Sequence, residues 1–196
     1  MRLIQKLIFV TILTTLTISE CRSQQIGIKT NLISDATASP GIGAEISVAP
    51  RWSLEVTGSL NAWDMPSERK WKHWFIEPEV RYWFCEALHG HFVGMHLLGG
   101  KYNIGGFGFD GKLFGIDFNT LRDTRRQGWV AGGGINYGYA WMLSKHWNLE
   151  AEIGVGYLFT VYDVYKCAGC GKMTDKDVTR HYFGPTELAI NLEYIF

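Results

Sequence analysis

The sequence predicts an all-β protein, an eight-stranded antiparallel up-and-down transmembrane β-barrel. Three observations lead there. Eight segments alternate apolar residues with small or charged ones, as strands do when successive side chains face opposite ways. The connections between them alternate between tight and long after a moderate first one. The last segment, Pro185 to Phe196, sets Leu188, Ile190, Leu192, Tyr194 and Phe196 against Glu187, Ala189, Asn191 and Glu193, with only Ile195 out of step, and it ends on an aromatic.

In chain order, Ile26 to Ile33 opposes Ile26, Ile28, Thr30 and Leu32 to Gly27, Lys29 and Asn31; Asp35 to Gly41 breaks it. The second strand sets Ile42, Ala44, Ile46 and Val48 against Gly43, Glu45 and Ser47, and Ala49, Pro50 and Arg51 turn the chain. The third opposes Trp52, Leu54, Val56 and Leu60 to Ser53, Glu55, Thr57, Ser59 and Asn61, before a polar loop from Asp64 to Lys72. The fourth sets Trp74, Ile76, Pro78, Val80, Tyr82 and Phe84 against Glu77, Glu79 and Arg81, and Cys85 to Gly90 forms a short turn. In the fifth, His91 to Tyr102, the facing is ambiguous; we place Val93, Met95 and Leu97 outward and Gly94, His96 and Gly100 inward. A long loop, about Asn103 to Gln127, follows. The sixth strand opposes Trp129, Ala131, Ile135, Tyr137, Tyr139 and Trp141 to Gly132, Gly134, Asn136 and Gly138, and Ser144, Lys145 and His146 turn. The seventh sets Leu149, Ala151, Ile153, Val155, Tyr157 and Phe159 against Asn148, Glu150, Glu152, Gly154 and Gly156. A last loop, about Asp163 to Gly184, leads to the closing strand.

Short turns at one end and longer loops at the other, with an even strand number, are the habit of outer-membrane barrels. Trp52, Tyr82, Phe84, Tyr139, Trp141, Trp147, Tyr194 and Phe196 fall near the periplasmic edge. Trp63, Trp71, Trp74, Trp129, Tyr157, Tyr162 and Tyr182 fall near the outer one, so two aromatic belts form, as membrane interfaces select. A soluble exported lipocalin-like ligand-binding barrel is the mirror-image alternative. What separates them is the narrow, Gly-rich, carboxylate-bearing face, which suits the cramped interior of eight strands, against an opposite face of Trp, Tyr, Ile and Leu that suits lipid.

The totals agree. The chain has 196 residues with 23 Gly, 8 Trp and 19% charge, below the roughly 25% of soluble domains. A formal net charge of +0 offers no argument for nucleic acid or an acidic substrate. Residues 1–23 read as a signal peptide: Arg2 and Lys6, an apolar Leu7 to Ile18, and an exit at Cys21, Arg22 and Ser23, with cleavage near Ser23–Gln24. Lipidation at Cys21 competes, against an unfavourable Glu20. Residues 24–196 form the barrel domain. No later run of ~18 apolar residues supports a helical span.

Ile28 to Leu32, Trp71 to Trp74 with Pro78 to Cys85, Trp147 to Glu150 with Gly154 to Tyr157, Cys167 and Cys170 with Gly171, and Phe183 to Thr186 together resemble a Bacteroidetes small outer-membrane β-barrel family catalogued as a domain of unknown function, family 3575. The likeness spans nearly the whole mature chain. It implies location in the cell outer membrane, and company with surface proteins of fimbrial type. It carries over no catalytic residues. The strand ending in Phe196 also resembles the signal read by the barrel-assembly machinery, an expected partner.

The inward acids Glu45, Glu55, Glu77, Glu79, Glu150, Glu152, Glu187 and Glu193 should meet Lys29 and Arg81, with His96 if the fifth strand faces as placed. Catalytic carboxylates need a defined separation and an approach for substrate, whereas eight strands are filled by their own side chains. The expectation is therefore a lumen charge network centred on Arg81. Cys167 and Cys170 form a lone C-x-x-C, half a zinc site at best. A local disulfide pinning the outer loop is the favoured reading; a metal site with His181 and reduced thiols are the alternatives. Cys85 lies at the opposite end and should stay single. Arg69, Lys70 and Lys72, and Arg122, Arg125 and Arg126, are solvated loop charges or, as we expect, docks for lipopolysaccharide phosphates.

A lipid-modifying enzyme is the alternative function. His73, His181, Asp64, Asp163 and Ser67 fall near the outer rim, but no spacing among them is diagnostic. The sequence calls for no cofactor and no metal ligand set. It reads best as a non-enzymatic outer-membrane protein whose loops contact envelope lipids or surface partners.

Overall fold

A computed structural model describes residues 25–63, 69–106, 112–113, 116–117, 121–122, 124–166 and 171–196. Eight antiparallel strands are hydrogen-bonded in a closed ring: β1 (Ile26–Asn31), β2 (Gly41–Ala49), β3 (Trp52–Asn61), β4 (Lys70–Trp83), β5 (Gly90–Gly105), β8 (Arg125–Met142), β9 (Trp147–Tyr165) and β10 (Met173–Ile195). Each pairs with its neighbours in sequence and β10 closes on β1. Between β5 and β8 a two-stranded hairpin, β6 (Lys112–Leu113) and β7 (Ile116–Asp117), stands outside the ring. The tight connections β2–β3, β4–β5 and β8–β9 share one end, and the longer ones share the other.

The expected facing holds through the middle of every strand, because a period-2 pattern with one bulky face and one small face admits one arrangement in a narrow ring. Leu54, Val56, Ile76, Met95, Leu97, Ile135, Ile153, Val155 and Leu188 are exposed on the outside; Glu45, Glu55, Glu79, Arg81, His96, Glu150 and Glu193 are buried inside. In the ambiguous fifth strand Met95 and Leu97 are 66% and 62% exposed and His96 is 0%, so its facing is as placed.

Strand ends differ from the expectation. The first strand stops at Asn31, whose side chain accepts from the backbone N–H of Ile33 (3.0 Å) and Ser34 (3.4 Å) and so starts a short helix, α1 (Leu32–Ala36). β4 begins at Lys70, within what reads as loop. β9 runs to Tyr165 and β10 already begins at Met173, well before the expected loop boundary at Gly184, so that Thr179 and Arg180 pair with Val161 and Thr160. Beyond the apolar band both faces of a hairpin are wet, so alternation disappears while backbone pairing and β-branched residues still sustain a strand.

The interior is layered. At the tight-turn end Trp83, Ala87, Leu88, Phe92, Ala140 and Ile195 form an apolar plug; this is where the out-of-step Ile195 goes. Trp83 and Phe92 rings lie 4.6 Å apart, and Trp83 Nε1 donates to Ser53 Oγ at 2.7 Å. Charged residues occupy the middle. Ile104 and Leu121, with Trp71 and Tyr102 against them, form a second apolar cluster at the long-loop end.

Aromatics girdle the outside of the tight-turn end. Ring contacts join Trp52, Tyr82 and Phe84, then Tyr139 and Trp141, then Trp147, Tyr194 and Phe196, at 4.8 to 6.1 Å. At the other end Trp74 and Trp129 face outward, but Trp71 packs inside and Tyr162 is 5% exposed, so neither joins that belt as expected. Their parity along β4 and β9 puts them on the inner face.

Candidate functional site

Lys29 on β1 and Arg81 on β4 come from opposite walls of the tight-turn half and meet the acids between them. Lys29 Nζ lies 2.9 Å from Glu55 Oε2 and 3.2 Å from Glu150 Oε1, with Glu45 closer still and Glu193 at 3.9 Å. The Arg81 guanidinium reaches five carboxylates: Glu45 (2.9 Å), Glu55 (2.6 Å), Glu79 (2.8 Å), Glu150 (3.0 Å) and Glu152 (2.6 Å). Its carbon sits 4.4 Å over the Phe92 ring, so the plug below also holds the charge above. Asn191 Nδ2 donates to Glu150 (2.8 Å) and Glu152 (3.0 Å). The ten ionic residues expected inside all face inward, and six of the eight acids gather around the two cations.

The other two acids, Glu77 and Glu187, gather instead around His96, one step toward the long-loop end. His96 Nδ1 is 3.0 Å from Glu187 Oε2, and Nε2 is 3.1 Å from Thr186 Oγ1. Asn136 Nδ2 donates to Glu187 Oε2 (2.9 Å) and Glu79 Oε1 (2.8 Å), linking the clusters. Thr186 was not legible in the sequence, since alternation puts it outside. A register shift between Pro185 and Glu187 inserts an extra residue, and both Thr186 and Glu187 then face in. Asn136 was legible as inward, but its role depends on the stagger between β8 and β10.

Eight carboxylates face two fixed cations and one imidazole, so the interior does not balance without protons or bound cations. Chemically the arrangement is an acceptor-rich, confined ion network. A residue there is held by several partners at once, which rigidifies the ring.

The basic candidates lie at the long-loop end. Arg69 and Arg122 are exposed. Register puts Lys70 and Arg125 on the outward side, flanking Gly105 of β5, and Lys72 on the same side next along β4. Lys101, which the sequence reading passed over, stands exposed between Trp74 and Trp129. The Arg125 guanidinium stacks 4.2 Å from the Tyr165 ring. Arg126 has the opposite parity and lies 5.3 Å over the inward Tyr162. The outward cations therefore form a patch across three adjacent strands just beyond two tryptophans.

Of the residues expected near an enzyme's rim, His73 stacks on Phe75 at 4.8 Å, His181 meets the Tyr157 hydroxyl, and Asp163 Oδ1 accepts from the Asp177 backbone at 2.9 Å. They are not joined in one relay. Asp64, Ser67, Cys167, Cys170 and the signal-peptide segment lie outside the described residues. Cys85 is exposed and unpaired in the β4–β5 turn.

A family model described as a protein of unknown function, DUF3575, matches residues 7–196. No curated protein matches the chain.

Proposed function

The chain belongs to the DUF3575 family of unknown function, so its role is argued from its own residues, and we propose that it is a non-enzymatic outer-membrane β-barrel whose long-loop end docks envelope lipids. One observation carries this reading. The outside of the ring is a band of exposed Leu, Ile, Val and Met bordered by aromatics, while the acids and their cations are inside. Soluble monomers rarely expose contiguous apolar patches beyond a few hundred Å². A hydrocarbon surround removes that cost, and a ring leaves no unpaired sheet edge within it. No helix among the described residues is long and apolar enough to cross a membrane.

Lipid contact follows from the cationic patch. Lys101 stands outward between Trp74 and Trp129, with Lys70, Lys72 and Arg125 just past them, the depth at which phosphates of a lipopolysaccharide leaflet meet an aromatic belt. The surface or fimbrial partners that the family resemblance implies would meet the same end.

Two measurements test the reading. Tryptophan fluorescence should be quenched by brominated acyl chains, and alkaline carbonate should leave the protein in membranes; complete extraction as a folded soluble species overturns the membrane assignment. Neutralising Lys70, Lys101 and Arg125 to Gln should weaken binding to lipopolysaccharide vesicles several-fold at low ionic strength, with the gap closing as salt rises. Equal binding by the variant removes the headgroup dock.

A further inference from the structure

Three acceptor atoms converge beside Asn136: Glu187 Oε2 accepts from its amide at 2.9 Å, and the other two have no donor. His96 is 0% exposed. With its proton on Nε2 it donates to Thr186 Oγ1, and Nδ1 is left as a bare lone pair directed at the acids. In that tautomer Nδ1, 3.0 Å from Glu187 Oε2, has no proton to give it, the contact being an ion pair only when the ring is protonated, and the buried Oε1 of Glu77 also has no partner. Unpaired buried acceptors at close quarters are costly unless something positive sits between them. Among the described residues Lys29 and Arg81 pair with other carboxylates and with neither Glu77 nor Glu187.

We propose that Glu77, His96 and Glu187 bind one divalent first-row transition cation, of which Zn²⁺ is the type, inside the ring between β4, β5 and β10. Their ligand atoms lie within 4.8 Å of one another. Zinc bonds of about 2.0–2.2 Å need them roughly 3.5 Å apart, a spacing the His96–Glu187 pair already meets and Glu77 reaches by a small side-chain rotation. One imidazole with two carboxylates suits zinc or a neighbouring metal. Calcium, which takes six to eight oxygens, and magnesium, which keeps to oxygen, fit it poorly.

Supporting groups are in place. Thr186 fixes the imidazole through Nε2, and Asn136 Nδ2 orients Glu187 at 2.9 Å, the outer contacts that metal-binding side chains need. Gly134 and Gly154 clear the space: a Cβ on either would stand 2.9 and 3.1 Å from His96 Cε1. Glu77 and Glu187 remain partly exposed where His96 is not, so an ion is met first by carboxylate. The site is indifferent to what surrounds the ring, so it can fail or stand apart from the membrane reading.

The test uses the full chain, folded in detergent and stripped with chelator, titrated with Zn²⁺ by calorimetry and with Co²⁺ by visible absorption. One ion per chain and a visible d–d band are expected. Glu77→Gln and His96→Gln should each weaken Zn²⁺ binding at least tenfold, whereas replacing the exposed His91 and His181 by Gln should not. Absence of saturable binding by the wild-type chain overturns the proposal, as does unchanged affinity in folded His96→Gln. If His96→Gln does not fold, Glu77→Gln decides in the same way, because its Oε1 has no hydrogen bond to lose.

Discussion

Arg81 is the residue whose loss the ring should feel most. Five carboxylates lie within 3.0 Å of its guanidinium, and Met fills similar volume without charge. Arg81→Met strands acids in a confined space, and breaking a buried pair in this way costs about 3–5 kcal/mol. The midpoint of urea unfolding should fall accordingly; an unshifted midpoint would mean the acids are neutralised by something else. The composition of this network was readable, because Glu, Lys and Arg recur at inward positions of a two-residue period. Its pairing was not. Glu152 meets Arg81 while Glu187 meets His96, and that choice is set by strand stagger and by one bulge, neither of which leaves a mark on alternation.

At the scale of elements, β10 is two strands joined by a bulge. From Leu188 to Tyr194 it keeps strict register with β9, and the register shifts between Pro185 and Glu187. Deleting Thr186 removes the extra residue and leaves Pro185 opposite Val155 and Glu187 opposite Gly154, so the ladder closes without a slip. Hydrogen exchange should then show undiminished protection on both sides of the deletion. Lost protection from Met173 to Gly184 would show that the bulge itself is needed to hold the register. Here too the sequence was legible in part. Core strands declare themselves through contrast between their faces; the successive residues Thr179 and Arg180 do not, both being exposed, although they pair with Val161 and Thr160 as Leu188 does with Ile153.

Taken whole, the molecule has two unlike ends. The tight-turn end is shut by Trp83, Leu88 and Phe92, all 0% exposed, so reconstitution in planar bilayers should give no stable conductance steps; their appearance would mean the plug moves. The same end carries Cys85, exposed and single. In a background with Cys167 and Cys170 replaced by Ser, a membrane-impermeant maleimide should label Cys85 in permeabilised but not intact cells. Labelling of intact cells would invert the proposed orientation. Architecture was the most legible level of all, since eight alternating segments with tight and long links leave few ways to close a sheet. Occupancy of the interior was the least.

The seams of this ring are very unequal. β9 and β10 pair from Met173 to Tyr194 with three register shifts on the way, whereas β1 is stitched to β10 only from Gly27 to Asn31 and to β2 only from Ile26 to Lys29, before α1 leads the chain away. A cylinder tears along its shortest stitching, so β1 parts from its neighbours before any other strand does, and in assembly it is the last to be sealed in. Lys29 stands on that short margin and grips acids on β2, β3 and β9, so the ionic core doubles as the clasp that keeps the two ends of the chain together.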